Sequence, residues 1–119
     1  MSQKPNPGEV WLVSFPFSDL TISKLRQALV VARHRQELII LGIFSKIPSG
    51  NLLPIWVLIA DTNSNFPQTG LLKTSLVRAD KITTVNESVF DRKLGELPSD
   101  LSRLVSLALK VSLNLVNEF

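Results

Sequence analysis

Short runs of apolar and β-branched residues, separated by polar or proline-containing stretches, fill the first two-thirds of the chain. Such runs are typical of β-strands, because a strand that lies in a small core alternates its side chains between two packed or half-packed faces. The predicted strands are Glu9–Phe15, Gln27–Ala32, Leu38–Phe44, Ile55–Ala60, Ser75–Arg78 and Lys81–Val85.

The residues between these runs indicate how the strands are connected. The charged spacer Arg33–Glu37 is short, so the runs on either side of it are predicted to form a hairpin. The polar segments Ser18–Lys24 and Asp61–Gly70 are predicted to be loops. Gly42 lies inside an apolar run and therefore predicts a bulge or a close approach of two backbones.

The end of the chain changes to a helical period. Ser99, which follows a proline, is predicted to cap a helix from Asp100 to about Asn117. Its apolar face consists of Leu101, Leu104, Val105, Ala108, Val111, Leu115 and Val116. Several strands followed by one helix predict a mainly β or α+β fold, a small β-barrel capped by a helix, in a single domain spanning residues 1–119.

Composition narrows the chemistry. The 119 residues include no cysteine and one histidine, which excludes a disulfide framework, a thiolate zinc site and a pair of catalytic histidines. The apolar runs are shorter than a membrane-spanning helix needs and the first residues are polar, so we expect a cytoplasmic protein. A mean hydropathy of +0.21 is high for so small a domain and predicts a covered subunit interface.

The net charge of +3 is unevenly distributed. Up to Lys81 the chain carries nine Lys and Arg residues against five Asp and Glu, whereas from Ile82 onward it carries four against five. A basic surplus of this kind suits an anionic partner such as a nucleic acid, although it does not require one.

Arg78 and Asp80 are the first candidates for chemistry. Two residues apart on a strand, they share one face, where they form either an exposed ion pair or a cation and a carboxylate directed at one phosphodiester. Arg26, at the start of a strand, is expected from its position alone to be a solvated arginine at the strand edge. Of the aromatic residues Phe15, Phe17, Phe44, Phe66, Trp11 and Trp56, most are expected in the core.

The predicted hairpin turn carries a second basic group. His34 lies between Arg33 and Arg35, which is consistent either with an exposed turn or with a turn that contacts a nucleic-acid backbone.

At these residues the chain resembles a known family. Several segments, in the right order along almost the whole chain, look like those of the PemK/MazF family of toxin endoribonucleases. The matching segments are Gly8–Phe15, Asp19, Arg26–Val31, Thr69–Leu71, Ser75–Val85, Arg92–Leu97 and the Leu101–Leu115 helix.

The resemblance implies an SH3-like β-barrel with a C-terminal helix and a homodimer. It also implies sequence-specific, metal-independent cleavage of single-stranded RNA through the 2′-hydroxyl, without a cofactor. A cognate antitoxin whose acidic disordered tail competes for the RNA groove is implied as well. Arg26 would then hold the scissile phosphate, and Arg78 and Asp80 would act as acid and base. The residues expected to contact RNA are Asp19, Lys24, Arg33, Arg35 and Lys46.

The chain departs from the family pattern in two places. Phe44 occupies the position of a catalytic threonine, and Ser45 beside it could supply a hydroxyl only if a bulge rotated it into the site. The Ser18–Lys24 loop lacks the histidine of PemK-type members. These departures favour an alternative, a PemK-like barrel that binds RNA or protein without cleaving it.

A further alternative is a gyrase-poisoning toxin like the related CcdB barrels. The Arg78 and Asp80 pair favours RNA, because a gyrase-binding surface needs no phosphate-cleaving residues.

Overall fold

A computed structural model describes residues 4–16 and 23–115 of the chain. Within these residues, one antiparallel sheet has the strand order β4-β5-β3-β2-β1-β6 and is not closed into a complete barrel. The strands are β1 (Glu9–Pro16), β2 (Ser23–His34), β3 (Glu37–Phe44), β4 (Trp56–Ile59), β5 (Ser75–Asn86) and β6 (Phe90–Glu96). The helices are α1 (Phe66–Thr69), a 3₁₀ turn (Glu87–Val89) and α2 (Ser99–Ser112). The predicted mainly β fold with a C-terminal helix is confirmed.

The predicted hairpin is present between β2 and β3. His34 pairs with Glu37 across a two-residue turn, and Arg35 at this turn has a φ of 58°. The prediction for Gly42 is also confirmed, since the pairing of β3 with β5 shifts register between Leu41 and Gly42. Alternation of apolar residues therefore located the central strands correctly.

Three elements differ from the sequence prediction. The two short strands predicted on either side of Ala79 are one continuous strand, β5, which is interrupted by a bulge. The predicted loop Asp61–Gly70 contains α1. The last strand, β6, was not predicted because charged residues such as Arg92 and Lys93 lie within it; it is an edge strand, which tolerates exposed charges.

The helix α2 is shorter than predicted. Pro98 occupies the N-cap position and Ser99 is the first helical residue, so Ser99 is not the cap that its sequence position suggested. The helix ends at Ser112, and Asn114 adopts a left-handed φ of 61°, which stops helical propagation.

The two faces of the sheet bury separate apolar clusters. Residues of the central strands and α2 form the first cluster, with Leu101, Val105 and Ala108 supplied by the helix. The second cluster lies on the opposite face and includes Trp11 and Val13 of β1. Val10 on one face of β1 and Trp11 and Val13 on the other are therefore buried within one subunit.

The outer face of α2 remains apolar and exposed. Leu104, Leu107 and Val111 each keep about half of their surface accessible. Part of the high mean hydropathy is therefore located on this helix, as predicted. Among the described residues, no helix has the length and apolar character needed to cross a membrane.

Candidate functional site

The predicted site residues on β5 lie at a bulge. Arg78 pairs with Gly42 of β3, whereas the next pair along β3 joins Leu41 to Ile82. Residues 79–81, here called the β5 bulge, therefore have no pairing partner on β3. A bulge changes the direction of the strand and redirects its side chains, and bulges are common beside functional sites.

The backbone of the β5 bulge is held by two neighbouring elements. The amide of Ala79 donates to the carbonyl of Ile55 at 2.9 Å, just before β4 begins. The hydroxyl of Ser112, at the end of α2, donates to the carbonyl of Ala79 at 2.8 Å. The segment between Arg78 and Asp80 is thus fixed from two sides.

Asp80 accepts three hydrogen bonds from side chains of the described residues. Arg78 donates through Nε to Oδ1 at 3.1 Å and through Nη2 to Oδ2 at 2.6 Å. The indole Nε1 of Trp56 donates to Oδ1 at 3.1 Å. Of the two arrangements considered for Arg78 and Asp80, the ion pair on one face is present, and the fork of the guanidinium gives it a bidentate geometry.

These contacts keep both groups charged at neutral pH. The hydrogen bond from Arg78 is the main reason why the pKa of Asp80 is lowered. Burial has a smaller effect than this hydrogen bond and raises the pKa, whereas the hydrogen bond from the Trp56 indole lowers it further. The same hydrogen bond raises the pKa of Arg78. Because Nε and Nη2 bind Asp80, the Nη1 group is the part of Arg78 that can turn toward a phosphate oxygen.

Two aromatic rings flank the Arg78 guanidinium. Its central carbon lies 4.8 Å from the Trp56 ring centroid and 5.8 Å from that of Phe44, which places both rings within cation–π range. Gly42 allows this arrangement, because a Cβ there would lie 2.8 Å from Cε2 of Phe44. The close contact at Gly42 is therefore with the Phe44 side chain and not with another backbone.

A groove of about 380 Å³ lies beside the guanidinium and contains further positive charge. Arg26 of β2 and Lys81 of the β5 bulge both line it, together with Gly42 and Phe44. The structure therefore places Arg26 on the same face of the sheet as Arg78, although the two residues are far apart in sequence. A phosphate-sized anion placed here would meet cations from two strands.

The other predicted RNA contacts lie in several places. Lys24 is exposed near the start of β2, and Ser45 and Lys46 are exposed just after β3. Within the described part of the chain, Ser45 makes no hydrogen bond to the Arg78–Asp80 pair. Asp19 lies outside the described residues.

The basic turn between β2 and β3 is remote from Arg26. Arg33 is seven residues farther along β2, which corresponds to about 23 Å of strand. It donates to the carbonyl of Pro5 at 3.2 Å and pairs with Glu87, while Arg35 is exposed in the turn. The structure does not bring this turn together with the Arg78–Asp80 pair.

Sequence reasoning missed two residues of the site. Trp56 was grouped with aromatic residues most of which were expected in the core, and Lys81 was treated only as the start of a strand. Lys81 could have been found from its position next to Asp80, whereas no local pattern marks Trp56 as a partner of residues on another strand. Within residues 4–16 and 23–115, no group of three His, Cys, Asp or Glu residues is placed to hold a metal ion.

Comparisons with known proteins give a family match over most of the chain. Residues 6–113 match the family model described as the PemK-like, MazF-like toxin of type II toxin–antitoxin systems. A comparison with curated proteins gives no match.

Solved structures of similar fold include several toxins. A mycobacterial endoribonuclease in complex with its cognate antitoxin superposes with a TM-score of 0.71 at 21% identity, covering 93% of this chain and 96% of that one. The Mycobacterium tuberculosis toxin MazF-mt6 gives 0.68 at 18%, covering 89% and 96%. MazF of a MazE–MazF crystal structure from Deinococcus radiodurans gives 0.71 at 18%, covering 94% and 98%. At these identities the likeness establishes the fold.

Proposed function

Because the chain belongs to the PemK-like, MazF-like toxin family of type II toxin–antitoxin systems, we propose that it is a toxin that cleaves single-stranded RNA at specific sequences without a metal ion. The observation that carries this proposal is the bidentate Arg78–Asp80 pair beside a groove lined by Arg26 and Lys81. Similar structures include an endoribonuclease bound to its antitoxin, which supports the same class of activity.

In this proposal the RNA supplies its own nucleophile. The 2′-hydroxyl oxygen attacks the adjacent phosphorus, the bond from phosphorus to the 5′-oxygen breaks, and a 2′,3′-cyclic phosphate remains. Asp80 accepts the proton of the 2′-hydroxyl, because its lowered pKa keeps it ionised at neutral pH. DNA, which lacks the hydroxyl, is not cleaved.

Arg78 and Arg26 stabilise the charge that develops on the phosphorane oxygens. A guanidinium offers planar, forked donors that fit phosphate oxygens. Arg78 is a poor acid, since its pKa is raised further by Asp80, so water is the proton source for the departing 5′-oxygen.

Cleavage of RNA by the purified protein, with and without EDTA, tests this function. We expect cleavage that EDTA does not affect, no cleavage of the matching DNA, and loss of activity in Arg78→Ala and Asp80→Ala. The matched controls Arg103→Ala on α2 and Asp91→Ala on β6 remove the same residue types at exposed positions on other elements and should stay active. Full activity of both site variants would contradict the site assignment.

A second candidate function is binding without cleavage. It is favoured by Phe44, whose ring lies at the Arg78 guanidinium and offers no hydrogen-bond donor where the family pattern has a threonine. A non-catalytic protein would bind RNA, leave it intact and cause no growth arrest when expressed.

We further propose a homodimer through the apolar face of α2. A groove of about 340 Å³ between α2 and β4 is lined mostly by apolar side chains, several of them exposed. Burial of such a face against a second copy removes this surface from water. The groove residues used here are Pro54, Leu58, Leu104, Leu107 and Val111.

The proposed antitoxin is a protein with an acidic disordered tail. Such a tail would compete with RNA for the cations Arg26, Arg78 and Lys81, because carboxylates and phosphates bind guanidinium and ammonium groups in similar ways. Growth arrest on expression, relieved by co-expression of a neighbouring gene that encodes such a tail, is the expected result in cells.

A further inference from the structure

We propose that Trp56 is a positioning residue for the Asp80 carboxylate. The proposal rests on the proposed function, in which Asp80 accepts a proton from the RNA. The observation behind it is that one indole contacts both members of the charged pair, although it comes from a different strand.

Trp56 reaches the pair because of strand register. It is the first residue of β4 and pairs directly with Arg78 of β5, so the two side chains lie next to each other on one face. The indole Nε1 donates to Asp80 Oδ1 at 3.1 Å, and the ring centroid lies 4.8 Å from the Arg78 guanidinium carbon. A phenylalanine here would keep a face for the guanidinium and lose the donor.

The donor matters because Asp80 lies in the β5 bulge. Its neighbours on β3 do not pair with it, and the residue is exposed, so its carboxylate is held by hydrogen bonds from Arg78, from Trp56 and from its own backbone amide. Among side-chain donors of the described residues, Oδ1 receives Arg78 Nε and Trp56 Nε1, whereas Oδ2 receives only Arg78 Nη2. Trp56 thus gives Oδ1 a second side-chain donor, which fixes the orientation of the carboxylate.

Trp56 also lines the groove between α2 and β4, but its indole N–H is directed at Asp80. Trp56 is only half-buried and belongs to neither apolar cluster of the described residues, in contrast to Trp11. Trp11 offers a matched comparison, since its Nε1 donates to the Glu9 carboxylate at 2.9 Å within a buried part of the sheet. The same bond type is therefore present twice, once at the site and once in the core.

The test measures kcat and KM for RNA cleavage against pH in Trp56→Phe. Arg78 has the largest part in lowering the pKa of Asp80, and the Trp56 N–H adds to it, so removing that N–H raises this pKa. We expect the acidic limb of kcat/KM to move to higher pH in Trp56→Phe. The kcat on the plateau should fall several-fold, and Trp56→Ala, which also removes the platform for Arg78, should fall further.

Trp11→Phe is the control. It should lower the unfolding midpoint, because Trp11 is buried, and leave the acidic limb where it lies in the natural protein. An unchanged acidic limb in Trp56→Phe, or equal losses of activity in the two variants without a shift, would overturn the positioning role.

A measurement without RNA separates this proposal from the proposed function. The titration of the Asp80 carboxyl carbon, followed by NMR, should move to higher pH in Trp56→Phe and stay in place in Trp11→Phe. If the unsubstituted protein cleaves no RNA, the proposed function fails. If the Asp80 titration does not move, the positioning role fails, whether or not RNA is cleaved.

Discussion

Replacement of Gly42 by alanine should destabilise the protein, and the same replacement should stabilise it once the Phe44 ring is removed. Gly42 does not have the left-handed φ that requires glycine, so its backbone accepts alanine. A Cβ at this position would lie 2.8 Å from Cε2 and 2.9 Å from Cζ of Phe44. Its contact with Cβ of Lys81, at 3.6 Å, is ordinary.

The size of the effect follows from two opposing contributions. Glycine within a strand costs roughly 0.5–1 kcal/mol relative to alanine, through the freedom of the unfolded chain, so Gly42→Ala gains about that amount. Overpacking against the Phe44 ring costs about 1–3 kcal/mol, because the ring must leave its position beside Arg78. The net result is a loss of up to about 2.5 kcal/mol of unfolding free energy.

A double-mutant cycle checks this reasoning. Equilibrium urea unfolding of the natural protein, Gly42→Ala, Phe44→Ala and the double variant is followed by circular dichroism at one protein concentration, since association would shift the midpoints. In the Phe44→Ala background, Gly42→Ala should gain about 0.5–1 kcal/mol. If the two substitutions are additive within about 0.5 kcal/mol, Gly42 and Phe44 do not interact as the structure indicates.

Three further predictions concern the rest of the molecule. Gly95→Ala should lower the unfolding free energy, measured by urea unfolding, by about 3 kcal/mol or more, because the added Cβ would lie 2.7 Å from the carbonyl oxygen of Thr69. A soluble Gly95→Ala variant with the stability of the natural protein would contradict this packing. Burial opposes ionisation of Glu9, but hydrogen bonds led by that from Trp11 outweigh it and lower its pKa. The stabilisation from ionised Glu9 is therefore complete at neutral pH and is lost as the pH falls through this lowered pKa. Glu9→Gln should lower the unfolding free energy by about 1–2 kcal/mol at pH 7 and by progressively less in acid. A constant deficit across pH would exclude the ionic contribution. Leu107→Lys should convert the proposed dimer to monomer in sedimentation experiments, with the monomer fold retained, and an unchanged mass would place the interface elsewhere.

The local pattern of residues was sufficient for the central part of the fold. The alternation in β1, the short charged spacer between β2 and β3, and the helical spacing of Leu101, Val105 and Ala108 each act over a few residues, so they can be interpreted without knowing the neighbours. The last strand, β6, was missed because its charged residues obscure the alternation, and an edge strand does not need a fully apolar face.

The candidate site was predictable only in part. Arg78 and Asp80 could be paired from their spacing, because residues two apart on a strand share a face. The contribution of Trp56 could not be predicted, since it depends on the pairing of β4 with β5, and neither strand carries a mark of its partner. Arg26 reaches the same groove only because β2 pairs with β3 and β3 with β5.

The sequence by itself therefore determined the class of fold, the hairpin, the helix and the two residues of the charged pair, since these depend on local periodicity and on side-chain chemistry. The tertiary structure alone decided which cations line one groove, that the Arg33 turn lies at a distance from it, and that an indole orients Asp80. These features depend on strand order and register, which are set by contacts between residues distant in sequence, and a shift of one residue in register would turn each side chain to the opposite face.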